Sequence, residues 1–181
     1  MENIVTDRLI IRGFSPDDWQ DLYEYLSDEE VVRFEPYDVF SMERAREEAI
    51  KRSCNDDFYA VCLRENNKMI GNLYLGKGDF DTWELGYVFH RAYQGQGFAG
   101  ESANALLNFA FEKLGARRIV AMCNPENTHS WKLLERLHMR REALLIKNIY
   151  FKRDAMGEPI WVDTYEYAIL KDEWCRLRHL F

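Results

Sequence analysis

The segment that most constrains the fold runs Glu84-Leu-Gly-Tyr-Val-Phe-His-Arg-Ala-Tyr-Gln-Gly-Gln-Gly-Phe-Ala-Gly100, an extended apolar stretch that passes through a glycine-rich turn into a helical pattern. A helix entered this way leaves its first backbone N–H groups unpaired, and its dipole adds positive potential there, so the turn suits a pyrophosphate. Small residues at Gly95, Gly97, Ala99 and Gly100 let a phosphate approach the main chain. The alternative is that the glycines only permit a sharp strand-to-helix turn. The string Gly95-x-Gly97-x-x-Gly100 also matches a dinucleotide fingerprint, which needs a turn close behind its strand, a parallel βαβ series and an acidic residue near the end of the next strand. Four residues separate Phe89 from Gln94, the upstream strands read as hairpins, and the next strand ends in Cys123-Asn124-Pro125 before Glu126 appears. A nicotinamide-binding oxidoreductase is therefore the weaker reading.

Around this segment the pattern alternates between strands and helices. Arg8 to Arg12 reads as a first strand; Ser15, Pro16, Asp17 and Asp18 then form a helix start, with Trp19, Leu22, Tyr23 and Leu26 on one face. Val31 to Phe40 reads as a loop or short helix, and Met42 to Ser53 as a helix with a charged outer face. Phe58 to Arg64, Met69 to Leu75 and Thr82 to Phe89 read as hairpin strands. Ala103, Leu106, Leu107, Ala110, Phe111 and Leu114 line a long helix closed by Gly115. A strand at Arg118 to Met122, a helix at Ser130 to Leu137, and strands at about Leu144 to Lys152 and Trp161 to Leu170 follow. With no repeat, low-complexity tract or linker, the expectation is one domain over residues 1–181, of mixed α/β class.

Composition removes several function classes. The formal charge of −7 opposes nucleic-acid binding, which needs clustered Lys and Arg, and favours cationic ligands. Cys54, Cys62, Cys123 and Cys175 are scattered, as are His90, His129, His138 and His179, so neither a disulfide frame nor a metal site is expected. The apolar runs are too short to span a bilayer, and the opening from Met1 to Arg8 is acidic and polar where a signal peptide is basic and then apolar. A cytoplasmic protein without membrane contact is expected.

Gln94-x-x-Gly97-x-Ala99 resembles the coenzyme A pyrophosphate motif of the GNAT acetyltransferase superfamily. Glu84-Leu-Gly-Tyr-Val-Phe resembles that family's central strand, and the stretch from Asn124 through Asn127 and Ser130 to Leu137 its second cofactor motif. The opening Thr6-Asp-Arg-Leu-Ile-Ile-Arg and the closing run from Trp161 to Trp174 are similar to the ends of the branch that includes ribosomal-protein N-terminal acetyltransferases. The resemblance implies a twisted mixed β-sheet flanked by helices, with the strand ending at Phe89 splayed from the strand at Arg118 to Met122. It implies acetyl-CoA as cosubstrate, no metal, and an amine acceptor that is a peptide N-terminus or a small cationic amine. Backbone groups of Val88, Phe89 and His90 would then pair with the pantetheine arm, those of Gln94, Gly95, Gln96, Gly97, Phe98 and Ala99 would hold the pyrophosphate, and Asn127 would hydrogen-bond the pantetheine.

Acetyl transfer imposes its own demands. An alkyl amine attacks only when neutral, so its proton must be removed. Glu84 is the candidate base, at a position where related enzymes often carry a carboxylate; otherwise it is a strand carboxylate in an ion pair. The departing thiolate needs a proton or hydrogen bond, and Ser130 is the candidate donor, or else the cap of its helix. Tyr23, Phe34, Tyr37, Trp83 and Tyr87 line an acceptor pocket or simply pack, and Glu29, Glu30, Glu35 and Asp38 dock a cationic substrate or form a solvated face. A catalytically idle coenzyme A-binding module is the alternative to an enzyme.

Overall fold

The computed structural model describes residues 2–178; Met1 and His179, named above, lie outside the described residues. Eight strands form one mixed sheet, β1 (Ile4–Val5), β2 (Leu9–Gly13), β3 (Phe58–Leu63), β4 (Met69–Lys77), β5 (Thr82–Phe89), β6 (Arg118–Cys123), β7 (Arg140–Arg153) and β8 (Pro159–Leu170), in the order β1-β2-β3-β4-β5-β6-β8-β7. The helices are α1 (Trp19–Leu26), α2 (Glu29–Val32), α3 (Met42–Ser53), α4 (Phe98–Glu112), α5 (Thr128–Arg136) and α6 (Lys171–Arg178). Neighbours from β1 to β4 are antiparallel. The pair β5–β6 is parallel, and β8 runs antiparallel to both β6 and β7. This is the expected α/β mixed sheet. The β5–β6 ladder joins Thr82, Trp83 and Glu84 to Arg118, Ile119 and Val120, while the two strands run on to Phe89 and Cys123.

The chain divides into two compact units: one runs up to Gly76 and includes Gly86–Leu106, the other comprises Lys77–Leu85 and the chain from Leu107 on. In the first, Ser15 caps a short 3₁₀ turn at Pro16–Asp18, with its Oγ accepting from Asp17 N and its own N–H donating to Asp18 Oδ2. Asp18 also accepts both arms of Arg12 at 2.7 and 2.8 Å, a bidentate pair that fixes β2 against the helix start. Leu22, Tyr25 and Leu26 of α1 and Ala45 and Ala49 of α3 are buried in one apolar cluster with Ala60, Cys62 and Met69; the alanines let the α3 backbone come close. Each fully buried Leu there contributes about 1.5–3 kcal/mol. Residues 31–40, read as loop or short helix, contain the end of α2, capped by Asp28, and then irregular chain.

In the second unit, Leu107, Ala110, Phe111, Ile119, Leu133, Leu134, Tyr167 and Trp174 are buried. Trp174 anchors α6, which the sequence reading did not anticipate, by donating from its indole N–H to Asn108 Oδ1 at 2.9 Å and packing its ring 6.0 Å from Phe111. No helix among the described residues is long and apolar enough to cross a membrane.

Candidate active site

The first unit carries the glycine turn. Gly95 and Gly97 have φ values of +74° and +83°, the left-handed region that side chains rarely adopt, and α4 begins at Phe98 immediately afterwards. Gln94, Gly95, Gln96 and Gly97 are exposed, Phe98 is buried beneath them, and Ala99 and Gly100 are half-buried. The turn therefore presents the first N–H groups of a helix of 15 residues to an anion while its apolar anchor points inward. Two amide side chains tie it down: Gln94 Nε2 donates to the Phe89 carbonyl at 3.0 Å and Gln96 Nε2 to the Ala92 carbonyl at 2.9 Å.

The sequence reading missed the residue that braces this turn. Arg8, on the approach to β2, donates from Nη1 to the Gln96 carbonyl at 3.0 Å and from Nε to Glu101 Oε2 at 2.7 Å, and lies 4.3 Å over the Phe98 ring. Glu101 also accepts from the Arg8 N–H and the Thr6 hydroxyl, and these partners hold its carboxyl below the usual range although burial pushes the other way. Arg8 and Thr6 belong to the opening motif, but nothing local in the sequence joins them to Glu101. Arg8→Ala is expected to weaken acetyl-CoA binding about three- to tenfold while costing less than about 1 kcal/mol of stability, since the pair is partly exposed. Calorimetric titration with a parallel thermal melt checks this; unchanged affinity means that the turn holds its shape unaided.

The end of β5 is fitted tightly to β4. A Cβ on Gly71 would lie 2.6 Å from both the Val88 carbonyl oxygen and the Phe89 ring, so this glycine sets how close the strands come. The His90 N–H donates to the Ile70 carbonyl at 2.9 Å, and the His90 carbonyl accepts from Tyr93 N at 3.0 Å. Its Nδ1 accepts from Ala92 N at 3.1 Å, leaving the Nε2 side 3.7 Å from Glu24 Oε2. The Phe89 carbonyl is held by Gln94, as above. Val88 is half-buried and packs on the apolar cluster of α1 and α3.

The other predicted residues belong to the second unit. Glu84 is exposed at the last pair of the β5–β6 ladder, opposite Val120. Asn127, not Ser130, caps α5: its Oδ1 accepts from Ser130 N at 3.2 Å. This use of the amide oxygen leaves the Asn127 Nδ2 free to donate elsewhere. Ser130, half-buried, sits in the first turn of α5 beside Cys123; burial pushes that thiol up to about 11 and the Ser130 hydrogen bond pulls it down. Trp83 has a buried indole N–H with no hydrogen-bond partner among the described residues. Among the described residues no group of three or more His, Cys, Asp or Glu is arranged to hold a metal ion.

The segment between α1 and α3 separates the acidic residues. Glu29, Glu30 and Asp38 are exposed, whereas Glu35 is half-buried. Burial pushes the Glu35 carboxyl up to about 7, against the opposing pull of the Tyr37 hydroxyl and the Arg52 guanidinium. Tyr23 and Tyr37 pack at the edge of the apolar cluster.

The family model for an acetyltransferase (GNAT) domain matches residues 8–140. An uncharacterised N-acetyltransferase of Bacillus subtilis, YnaD, is 38% identical over 95% of this chain and 99% of its own. Among solved structures, a GNAT-family acetyltransferase from Bacillus anthracis superposes with a TM-score of 0.88 at 36% identity, covering 95% of this chain and 100% of that one. A ribosomal-protein-S5-alanine acetyltransferase from Vibrio fischeri superposes with a TM-score of 0.77 at 19% identity, over 96% of this chain and 99% of that one, a likeness of fold.

Proposed function

Because the chain belongs to the GNAT acetyltransferase family, the acetyl-CoA-dependent acyltransferases, we propose that it moves the acetyl group of acetyl-CoA directly onto a primary amine, a peptide N-terminus or a small cationic amine, as one catalytic domain in the cytoplasm. The observation that carries this reading is the turn from Gln94 to Gly100, with two glycines in left-handed conformation at the start of α4 and a carbonyl and a carboxylate both held by Arg8. N–H groups of Gly95, Gln96, Gly97, Phe98 and Ala99 take the pyrophosphate, while Gln94, whose N–H donates to the Arg91 carbonyl at 3.2 Å, braces the turn. Val88 and Phe89 align the pantetheine arm and the thioester by backbone pairing; His90, whose N–H and carbonyl already have partners, fixes the strand end. Asn127 donates from its free Nδ2 to the pantetheine.

Glu84 removes the proton of the incoming ammonium, through water or a bridging acceptor, and Ser130 hydrogen-bonds the departing thiolate. The acidic surface of a chain with formal charge −7 attracts a cationic acceptor rather than a nucleic acid. The direct test is a panel of peptides with free N-termini, polyamines and simple alkylamines incubated with acetyl-CoA, reading thiol release and the acetylated product by mass spectrometry. Acetyl-CoA-dependent product with at least one amine is expected. Tight cofactor binding with no acceptor-dependent thiol release across the panel would sink the enzymatic reading in favour of a coenzyme A-binding module.

A further inference from the structure

The outer half of the β7–β8 hairpin forms an arm at the margin of the sheet. β7 is the last strand in the sheet order, and every residue from 146 to 158 is exposed. Six apolar side chains of the arm, Ile146, Ile149, Tyr150, Phe151, Ile160 and Trp161, are nonetheless 37–63% exposed. Tyr150 and Trp161 are cross-strand partners with ring centroids 5.2 Å apart, so they project from one face of the arm. Ile149 and Ile160, each one residue away, project from the other. A two-stranded hairpin is marginal by itself in water, so an arm apolar on both faces calls for a cover. Register shifts between Leu145 and Ile149 and between Tyr150 and Arg153 bend β7, which discourages another strand from adding at its edge. The arm therefore offers its side-chain faces.

Area, composition and charge point to the same occupant. With whole side chains of roughly 150–250 Å² each, the six residues leave on the order of 600 Å² open, the bulk of the about 800 Å² that each partner buries in a stable interface. Aromatic and aliphatic residues dominate it, as in interfaces between identical chains, whereas transient interfaces are about as polar as the rest of a surface. The chain as a whole has a formal charge of −7, which sets two copies against each other, but Lys147, Lys152 and Arg153 outnumber Asp154 and Glu158 on the arm. We propose that the arm is a dimerisation element, and that two copies of this chain pack their arms side by side and antiparallel about a twofold axis. Such a pairing brings Lys147 at the base of one arm toward Asp154 and Glu158 at the tip of the other, and covers Tyr150 and Trp161 in both. The dimer is independent of the acetyltransferase reading.

Sedimentation equilibrium of the full chain tests this between about 1 and 100 μM, where the wild-type protein is expected to reach twice the mass of one chain. A Phe151→Glu, Trp161→Glu double variant is expected to raise the dimer dissociation constant at least about thirtyfold, the usual size for losing buried aromatic anchors. Phe80→Glu, at a side chain 87% exposed in the turn between β4 and β5, is the control and leaves the dimer as it was. Hydrogen exchange of the wild-type protein is the second readout, with amide protection that rises with protein concentration between residues 146 and 158. A wild-type chain that stays monomeric at about 100 μM overturns the proposal. In that event, co-sedimentation with phosphatidylcholine–phosphatidylserine vesicles would assign the arm to a lipid surface instead. A dimer that survives in the folded double variant, or that Phe80→Glu weakens equally, places the interface elsewhere and overturns it too. So does exchange in the arm that is independent of concentration, even if the double variant fails to fold.

Discussion

Glu84→Gln is expected to lower kcat about a hundredfold near pH 7, the usual size for losing a positioned base, with acetyl-CoA affinity little changed. The substitution keeps the shape of the side chain and removes its basicity. Because Glu84 is already exposed at the edge of a ladder pair, folding should be unaffected. The five-residue step from Glu84 to Phe89 spans roughly 16 Å of extended chain, so the proton must travel through a water or along the acceptor. The lost activity is expected to return as pH rises, since solution then provides the neutral amine directly. Wild-type turnover in Glu84→Gln at pH 7, with chemistry shown to be rate-limiting, would place the base elsewhere or mean that the acceptor arrives neutral.

Gly97→Glu is expected to weaken acetyl-CoA binding more than tenfold, a loss above about 1.4 kcal/mol. Two causes add. At φ +83° any side chain is strained, by roughly 1–2 kcal/mol, and the new carboxylate stands where the pyrophosphate is proposed to lie. A Cβ there would also meet Arg8 Nη2 at 3.3 Å, so the new acid would compete for the cation that braces the turn. Gly97→Asn separates the causes, because Asn tolerates the left-handed region without adding charge. If Gly97→Glu is folded by circular dichroism and binds acetyl-CoA with wild-type affinity in a calorimetric titration, the turn is not the phosphate site.

The elements that pack on local patterns were readable in advance. α3 occupies Met42–Ser53 and β5 Thr82–Phe89, the spans predicted; in the structure Ser41 caps α3, its Oγ accepting from Arg44 N. α5 starts at Thr128, two residues ahead of the Ser130 start that the sequence suggests. Asn127, Thr128 and Ser130 can all cap a helix, and only the three-dimensional direction of the Asn127 side chain, toward Ser130 N, selects among them. α6 escaped because Lys171, Asp172 and Glu173 read as polar surface, while its reason for existing is a distant partner of Trp174. The same limit applies to the candidate site. The glycine turn is written in consecutive residues, but Arg8 acquires its meaning from Glu101, and Glu35 is distinguished from Glu29, Glu30 and Asp38 only by burial and by Arg52.

The brace between Arg8 and Glu101 has a consequence for the order in which the protein becomes competent. Its partners are 93 residues apart along the chain, and Thr6 reaches Glu101 across 95. A contact so distant in sequence closes a long loop, whose entropy must be met before the contact repays it, so it forms late in folding compared with hairpins such as β3–β4. During synthesis Arg8 emerges early and waits for the start of α4 before the turn can take its shape. On the binding mode proposed above, acetyl-CoA takes only the completed turn and so would act as a thermodynamic latch on the last contacts of this unit to form.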